Sequence, residues 1–280
     1  MKLIIHGGAG ARERGPGEKQ ASSQALREIA AAGYAVLKNT GARAAVIESI
    51  KRLEDNPLFN AGTGSRLQSD GIARMSAAIM DTDNYVLSGV INVEQVQNPI
   101  MVADQLGDAT HTMLAGAHAT AFARSQGIEE FDVVTRHRRQ EWEDGLTGRT
   151  GTVGAVALDD NGVLCAATST GGVGHETAGR VSDASTVAGT YACDAVGISC
   201  TGVGEEIVNQ AVAVRIATRA LDGADLESAA TRTIREGDEH GYRYGLIALD
   251  SSGHHFTGQT VEITTLFAVI DETGTTTFTD

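Results

Sequence analysis

Apolar residues recur at three-to-four spacing over residues 18–39, 42–54, 203–221 and 226–240, and each stretch predicts an amphipathic helix. Ala25, Leu26, Ile29, Ala32 and Val36 share a face of the first, and Ala45, Val46, Ile50 and Leu53 a face of the second. Two further helices are predicted over 99–106 and 112–124. Short apolar or alternating runs between Gly, Asp and Asn turns predict strands over 3–6, 73–80, 85–93, 153–158, 163–168, 195–200, 244–249 and 264–270. Asp160-Asn161-Gly162 lies between two of these runs and is a hairpin signal. Strands and helices come in blocks rather than one by one. That order favours an α/β (α+β) fold of four layers, α-β-β-α, over a doubly wound parallel sheet, with each half supplying one sheet covered by helices on its outer face. The polar stretch 127–151, with Arg136, Arg138, Arg139, Glu141, Glu143 and Asp144, resembles a linker; it reads as a solvated helix and loop and is compatible with a processing loop.

Composition narrows the class. A chain of 280 residues holds one large domain or two small ones, and 34 glycines with 4% aromatic residues fit a sheet-and-helix protein with many tight turns. No apolar run reaches about 18 residues, so no transmembrane helix is expected. The apolar part of Met1–Gly8 is too short for a signal peptide and reads as a first strand. Cys165, Cys193 and Cys200 lack CxxC spacing, which argues against a disulfide framework or a zinc site, and a cytoplasmic location is the default. The net charge of −14 disfavours nucleic acid and anionic membranes as partners. Lys2, Lys19, Lys38 and Lys51 are the only lysines among 22 basic residues. Acidic excess with scarce Lys and abundant Thr and Ala points to a halophilic source, although a GC-rich genome encoding an ordinary acidic protein gives the same composition.

The chemistry-bearing stretch is Arg149-Thr150-Gly151-Thr152-Val153-Gly154-Ala155-Val156-Ala157-Leu158-Asp159. Were the Gly151–Thr152 bond cut, Thr152 would carry a hydroxyl nucleophile and a free α-amine on one residue. The amine titrates near neutrality and serves as the base that a threonine hydroxyl needs. Taken alone, Gly-Thr at a strand start is ordinary structure. Walker A, GxGxxG and GxSxG patterns are absent, and His175-Glu176 lacks the second His of a zinc-protease helix. Instead the chain carries His6-Gly7-Gly8-Ala9-Gly10, Asn60-Ala61-Gly62-Thr63-Gly64, Thr168-Ser169-Thr170-Gly171-Gly172, Gly179-Arg180-Val181-Ser182-Asp183 and Thr201-Gly202-Val203-Gly204-Glu205.

Together with the Thr152 stretch, these six segments resemble, in order and spacing, the plant-type L-asparaginase and isoaspartyl peptidase family of N-terminal nucleophile hydrolases. The resemblance covers nearly the whole chain. It implies an αββα sandwich, autocatalytic cleavage of one domain (1–280) at Gly151/Thr152 into an α subunit (1–151) and a β subunit (152–280), and a dimer of such pairs. It implies Thr152 as nucleophile, Thr170 as its hydroxyl partner, Arg180 on the substrate α-carboxylate and Asp183 on the α-ammonium. Thr201 and Gly202 would bind the substrate's developing oxyanion. A planar guanidinium fork suits a carboxylate better than a lysine does. The substrates implied are L-asparagine and β-aspartyl dipeptides, with no organic cofactor. A structural sodium or potassium ion would sit on backbone carbonyls of Leu53, Glu54, Asn56, Phe59, Ala61 and Thr63. The chain departs from the family at Ser182, where Gly is usual, at Ala184-Ser185 in place of Ser-Pro, and at Ser76, where Asp is common. Val173–Ala178 also replaces more usual Met-Thr-Asn-Lys-like content. These departures bear on substrate preference and processing rate. A glycosylasparaginase-like amidase, or an uncut paralogue with a binding role, would share most of the pattern.

Overall fold

The computed structural model describes residues 1–11, 16–147 and 151–279. Its first part runs β1 (Lys2–Ala11), α1 (Pro16–Thr40), α2 (Ala42–Asp55), β2 (Met75–Asp81), β3 (Ser88–Val93), α3 (Pro99–Leu106), β4 (Met113–Ala115), α4 (Gly116–Ser125) and α5 (Arg136–Glu143). From there it continues β5 (Val153–Leu158), β6 (Leu164–Thr170), β7 (Thr190–Ala192), β8 (Val196–Gly202), α6 (Gly204–Gln210), α7 (Val212–Leu221) and α8 (Leu226–Glu239). The last strands are β9 (Tyr244–Asp250), β10 (His255–Gln259), β11 (Ile263–Asp271) and β12 (Gly274–Thr277). An eight-stranded sheet is ordered β12-β11-β1-β5-β6-β2-β3-β4, and a four-stranded one β10-β9-β8-β7.

The period of two along each strand assigns side chains to layers. Leu3 and Ile5 of β1, with Ala155 and Ala157 of β5, meet Leu26, Val46 and Ile50 of α1 and α2. Ile4, Val156, Leu158 and Ala166 point the other way and pack on Ile247 and Leu249 of the smaller sheet. The far face of that sheet, through Ile198, Cys200, Leu246 and Ala248, receives Ile216, Ala217 and Ala230 of α7 and α8. Helix, sheet, sheet and helix layers follow, as the block order implied.

The assignment of one sheet to each half is corrected. β5, β6, β11 and β12 all come from the second half and join the larger sheet. The reason lies in β1, whose two edges both need hydrogen-bond partners; it pairs antiparallel with β11 on one side and β5 on the other. The single helix over 203–221 is also corrected, because Ala211 at φ 52°, ψ 48° divides it into α6 and α7. The amides of Ala213 and Val214 donate to the carbonyls of Ala188 and Val187, at 2.9 and 3.1 Å, and so re-aim the second helix onto that loop. Four short strands, β4, β7, β10 and β12, are additional to those the sequence predicts, and elsewhere the differences are at boundaries. The strand over 85–93 begins at Ser88, since Tyr85 turns the chain at φ 57°, and the helix over 112–124 begins at Gly116, after β4 pairs with β3.

The hairpin turn between β5 and β6 does more than reverse the chain. One oxygen of Asp159 accepts the amides of Asn161 and Val163, and the other accepts Ala42 N–H at 3.1 Å, an anion at the start of α2. The polar stretch from 127 is docked rather than free: Arg138 Nε donates to Gly64 C=O at 2.7 Å and Trp142 Nε1 to Gln68 C=O at 2.9 Å. Arg149 and Thr150 lie outside the described residues. Among the described residues no helix is long and apolar enough to cross a membrane.

Candidate functional site

Antiparallel pairing of β5 with β6 sets Val153 opposite Ser169, which brings Thr152 beside Thr170. Both threonines are buried, and Thr152 Oγ1 donates to Thr170 Oγ1 at 3.1 Å. Thr170 Oγ1 also accepts Gly172 N–H at 3.2 Å, so the end of β6 holds its orientation. From the smaller sheet, Thr201 Oγ1 accepts Ala9 N–H at 3.0 Å and reaches the Thr152 carbonyl at 3.5 Å. Gly202 closes β8 next to it at φ 144°; a Cβ there would lie 2.4 Å from the Arg243 carbonyl oxygen.

Among the described residues the Thr152 hydroxyl meets the alcohol of Thr170, and a separate set of buried polar side chains links β1, β6, β7 and β8. His6 Nε2 meets Ser199 Oγ at 3.0 Å, Ser199 meets Thr168 Oγ1 at 2.7 Å, and Thr190 Oγ1 donates to Thr168 at 2.6 Å. Burial pushes the His6 imidazole down to about 3, against a smaller opposing hydrogen bond to the Thr152 backbone, so it stays neutral in ordinary buffers. Gly151 is in contact with the first motif: a Cβ on Gly8, whose φ is +102°, would lie 3.0 Å from Gly151 Cα and 3.2 Å from its carbonyl carbon. Only glycine fits that approach. Asn60 backs Gly151 from the other side and donates its side-chain amide to the Gly172 carbonyl.

A second, charged cluster lies beyond β6 and β8. Arg180 Nε and Nη2 donate to the two oxygens of Glu205 at 2.6 and 2.7 Å, a fork-on-fork pair, and Nη1 donates to Glu176 Oε2 at 3.0 Å. Arg180 lowers the Glu205 carboxyl below its usual range. Asp183 is buried. Burial lifts it to about 6, against the hydrogen bond from Ser182 Oγ at 3.0 Å and the charge of Arg180. Its second oxygen, Oδ2, is buried without a hydrogen-bond partner against Gly189, where a Cβ would lie 2.5 Å away, and Oδ1 is the oxygen that faces Arg180. Gly204 joins the two charges: a Cβ there would stand 2.8 Å from Arg180 Nη2 and 2.9 Å from Asp183 Oδ1. A side chain at 204 would fill the space between them. An open cavity of about 410 Å³ is bordered by Arg180, Glu176, Glu205, Thr177, Val203 and Arg243.

The loop after α2 turns on itself. Thr63 N–H donates to Glu54 C=O at 2.7 Å, Asn56 N–H to Leu53 C=O at 3.3 Å and Phe59 N–H to Asn56 C=O at 3.1 Å. Gly64 leaves open a position 3.0 Å from both the Phe59 and the Pro57 carbonyl oxygens, and Ala61 is buried in the same turn. Each of these carbonyls keeps a second lone pair. Neutral carbonyl oxygens are the ligand type a monovalent cation takes, and of the six expected contributors Phe59 is the one that borders this opening, beside Pro57. The Glu54 side chain is buried; Oε1 accepts from Ser169 Oγ at 2.7 Å and Ile100 N–H at 3.1 Å, and burial raises the carboxyl to about 8.

Thr152, Thr170 and Thr201 are therefore joined by hydrogen bonds, with Gly202 adjoining, and Arg180 and Asp183 flank a common space. The sequence reading did not single out Glu176, Glu205, Gly204, Gly8 or Asn60. The motifs contain all but Glu176, yet nothing in them says which partner each one meets. Comparison with known proteins identifies the family. A family model described as asparaginase matches residues 1–279. The chain is 43% identical over 282 residues to an isoaspartyl peptidase/L-asparaginase of Synechocystis sp., covering 94% of this chain and 85% of that one. It is 38% identical over 283 residues to a plant-type L-asparaginase of Pyrococcus abyssi, covering 91% of each. It is 35% identical over 248 residues to an isoaspartyl peptidase/L-asparaginase of Rattus norvegicus, covering 82% and 74%. Matched along almost its entire length, the chain belongs to the asparaginase family.

Proposed function

We propose that this chain is an amidohydrolase that cuts itself between Gly151 and Thr152. It then uses Thr152 to hydrolyse L-asparagine to L-aspartate and ammonia, and to cleave the β-linked bond of isoaspartyl dipeptides. The observation that carries the reading is the buried Thr152 hydroxyl, aligned on Thr170 at 3.1 Å beside the Gly151 carbonyl. The names of the similar proteins support the substrates.

In the uncut chain Thr152 Oγ adds to the Gly151 carbonyl carbon and the C–N bond breaks. An ester forms on Oγ, and the nitrogen takes up the proton that Oγ loses, becoming a free amine. Water hydrolyses the ester, leaving a Gly151 carboxylate and a free Thr152 hydroxyl. Thr170 is an alcohol, and burial makes the His6 imidazole a weak base whose two nitrogens already meet Ser199 and Gly8, so the cut itself supplies the base, an α-amine with an ordinary pKa of about 7.7–8.0. That amine takes the Oγ proton as Oγ attacks the substrate's side-chain amide and returns it to the leaving nitrogen. It then activates the water that opens the β-aspartyl ester. Thr201 and the Gly202 amide stabilise the oxyanion, Arg180 takes the α-carboxylate and Asp183 the α-ammonium.

The carbonyls of Leu53, Glu54, Asn56, Phe59, Ala61 and Thr63 hold a sodium or potassium ion whose part is to fix this loop. Through Glu54 and Ser169 the loop abuts the strand of Thr170. Two cut chains associate as a dimer of α–β pairs.

Intact mass under denaturing conditions, with ammonia release from L-asparagine, tests the reading. Two fragments dividing at Gly151/Thr152 and turnover of L-asparagine are expected. A chain that stays uncut yet hydrolyses asparagine overturns the mechanism, and a cut chain inert on both substrates overturns the activity.

A further inference from the structure

Arg180 has five N–H donors, and three of them are already engaged by carboxylates of this same chain. The two carboxylates differ in kind. Glu176 is 6% exposed and accepts from Val173 N–H at 2.9 Å and Gln68 Nε2 at 3.0 Å as well as from Arg180, so it is built into the loop. Glu205 is 58% exposed and stands in the first turn of α6.

The edge of the guanidinium that a substrate can use follows from the shape of an α-amino acid. Its ammonium and carboxylate are separated by a single carbon, so the donors that grip the carboxylate must be those nearest Asp183. Nη2 is that nitrogen, since it and Asp183 Oδ1 both lie within 3 Å of the missing Gly204 Cβ. Nη2 is also half of the pair that Glu205 occupies.

We propose that Glu205 is a specificity-determining residue that holds the Nε–Nη2 edge of Arg180 and competes there with a substrate α-carboxylate, while Glu176 stays in place and orients the fork. The inference rests on the asparaginase reading above. A carboxylate that takes the Nε–Nη2 edge displaces Glu205, and one that takes the remaining N–H groups of Nη1 and Nη2 still meets its charge, so Glu205 disfavours ligands that lack an ammonium for Asp183 to offset that cost. Glu176 accepts from three donors, and Gln68 cannot turn its amide round because Gln68 Oε1 already accepts from Arg74 and Gly179. An acceptor-only group is therefore required at 176.

The test is steady-state kinetics of the cut enzyme with L-asparagine, comparing wild type with Glu205→Gln, Glu205→Ala and Glu176→Gln. An exposed ion pair of up to about 1 kcal/mol corresponds to about a fivefold change. KM is expected to fall about fivefold in both Glu205 variants, with kcat within about twofold of wild type. It is expected to rise in Glu176→Gln, where an amide N–H would face the Gln68 donor. A merely structural Glu205 would not produce a gain in affinity. An active wild type whose Glu205 variants have unchanged or higher KM overturns this inference alone. A wild type that turns over neither substrate overturns the reading beneath it, and this inference with it.

Discussion

The two parts of the site are built on opposite principles. Around Thr152 the partners are hydroxyls and backbone amides, fixed between two sheets by strand register, with His6 neutral. Around Arg180 the partners are carboxylates on loops and a helix start, one of them exposed. The first part is buried and electrically quiet, which would suit the proposed nucleophile, whose base would arrive only with the cut. The second is charge-rich and adjustable, which suits recognition. Chemistry and selectivity are thus separable, and substitutions in each part carry different kinetic signatures.

The widest separation comes from Thr152→Ala. It removes the hydroxyl that both reactions need, so the chain stays uncut by intact mass, and hydrolysis of L-asparagine falls by roughly ten-thousandfold or more. Fragments or near-normal turnover from a pure Thr152→Ala protein would show that the quiet half is not where the chemistry lies. Arg180→Lys comes next. It cannot reproduce the fork and leaves the buried Glu176 poorly paired, so kcat/KM falls about a thousandfold, mainly through KM, while cutting proceeds. A pure kcat effect would merge the two halves. Thr170→Val preserves shape but strands the Thr152 hydroxyl and the Gly172 amide; kcat is expected to drop about a hundredfold, with KM little changed.

Acid sharpens the same contrast. Asp183 receives an ammonium only when ionised, and burial holds its pKa at about 6 rather than 3.8. KM for L-asparagine should rise about fivefold between pH 6 and pH 5 as that charge is lost. The same shift acts on stability. The folded chain keeps a proton that the unfolded chain gives up between pH 3.8 and 6, so this group's contribution falls as pH rises through that window. Ser182→Gly, by removing the hydrogen bond to Asp183, moves the KM inflection upward. Salt has the smallest effect. We propose that the net charge of −14 reflects a salt-adapted chain. Its melting temperature is then expected to rise by several degrees between low and molar KCl, and a protein fully stable without salt removes that reading.

The quiet half was the more legible in the sequence. Short apolar or alternating runs located β1, β5, β6 and β8, and the motifs at their ends carried Thr152, Thr170 and Thr201. Once the strands pair, those hydroxyls have little freedom in where they go. The pairing order was not legible: two unsatisfied edges on β1 required partners from beyond residue 152, and no local pattern names them. The break at Ala211 escaped because it is caused by carbonyls of Val187 and Ala188, remote in sequence. In the charged half Arg180 and Asp183 stood out, but their context did not. Glu176 and Arg180 are four apart, a spacing that signals a pair on a helix. Here a loop bent by His175 at φ 53° and Gly174 at φ 80° brings them together. Glu205 arrives only after β7 and β8 have folded back.

The place of β1 in the larger sheet bears on what a cut at Gly151 can release. That strand belongs to the N-terminal fragment, yet it is flanked on both sides by strands of the C-terminal one, and β2 lies against β6 at a third seam. The two products are interlocked like fingers of clasped hands, so they leave each other only by unfolding. A nicked molecule should then migrate in gel filtration at its uncut size, melt in one cooperative step, and refold poorly from separated pieces.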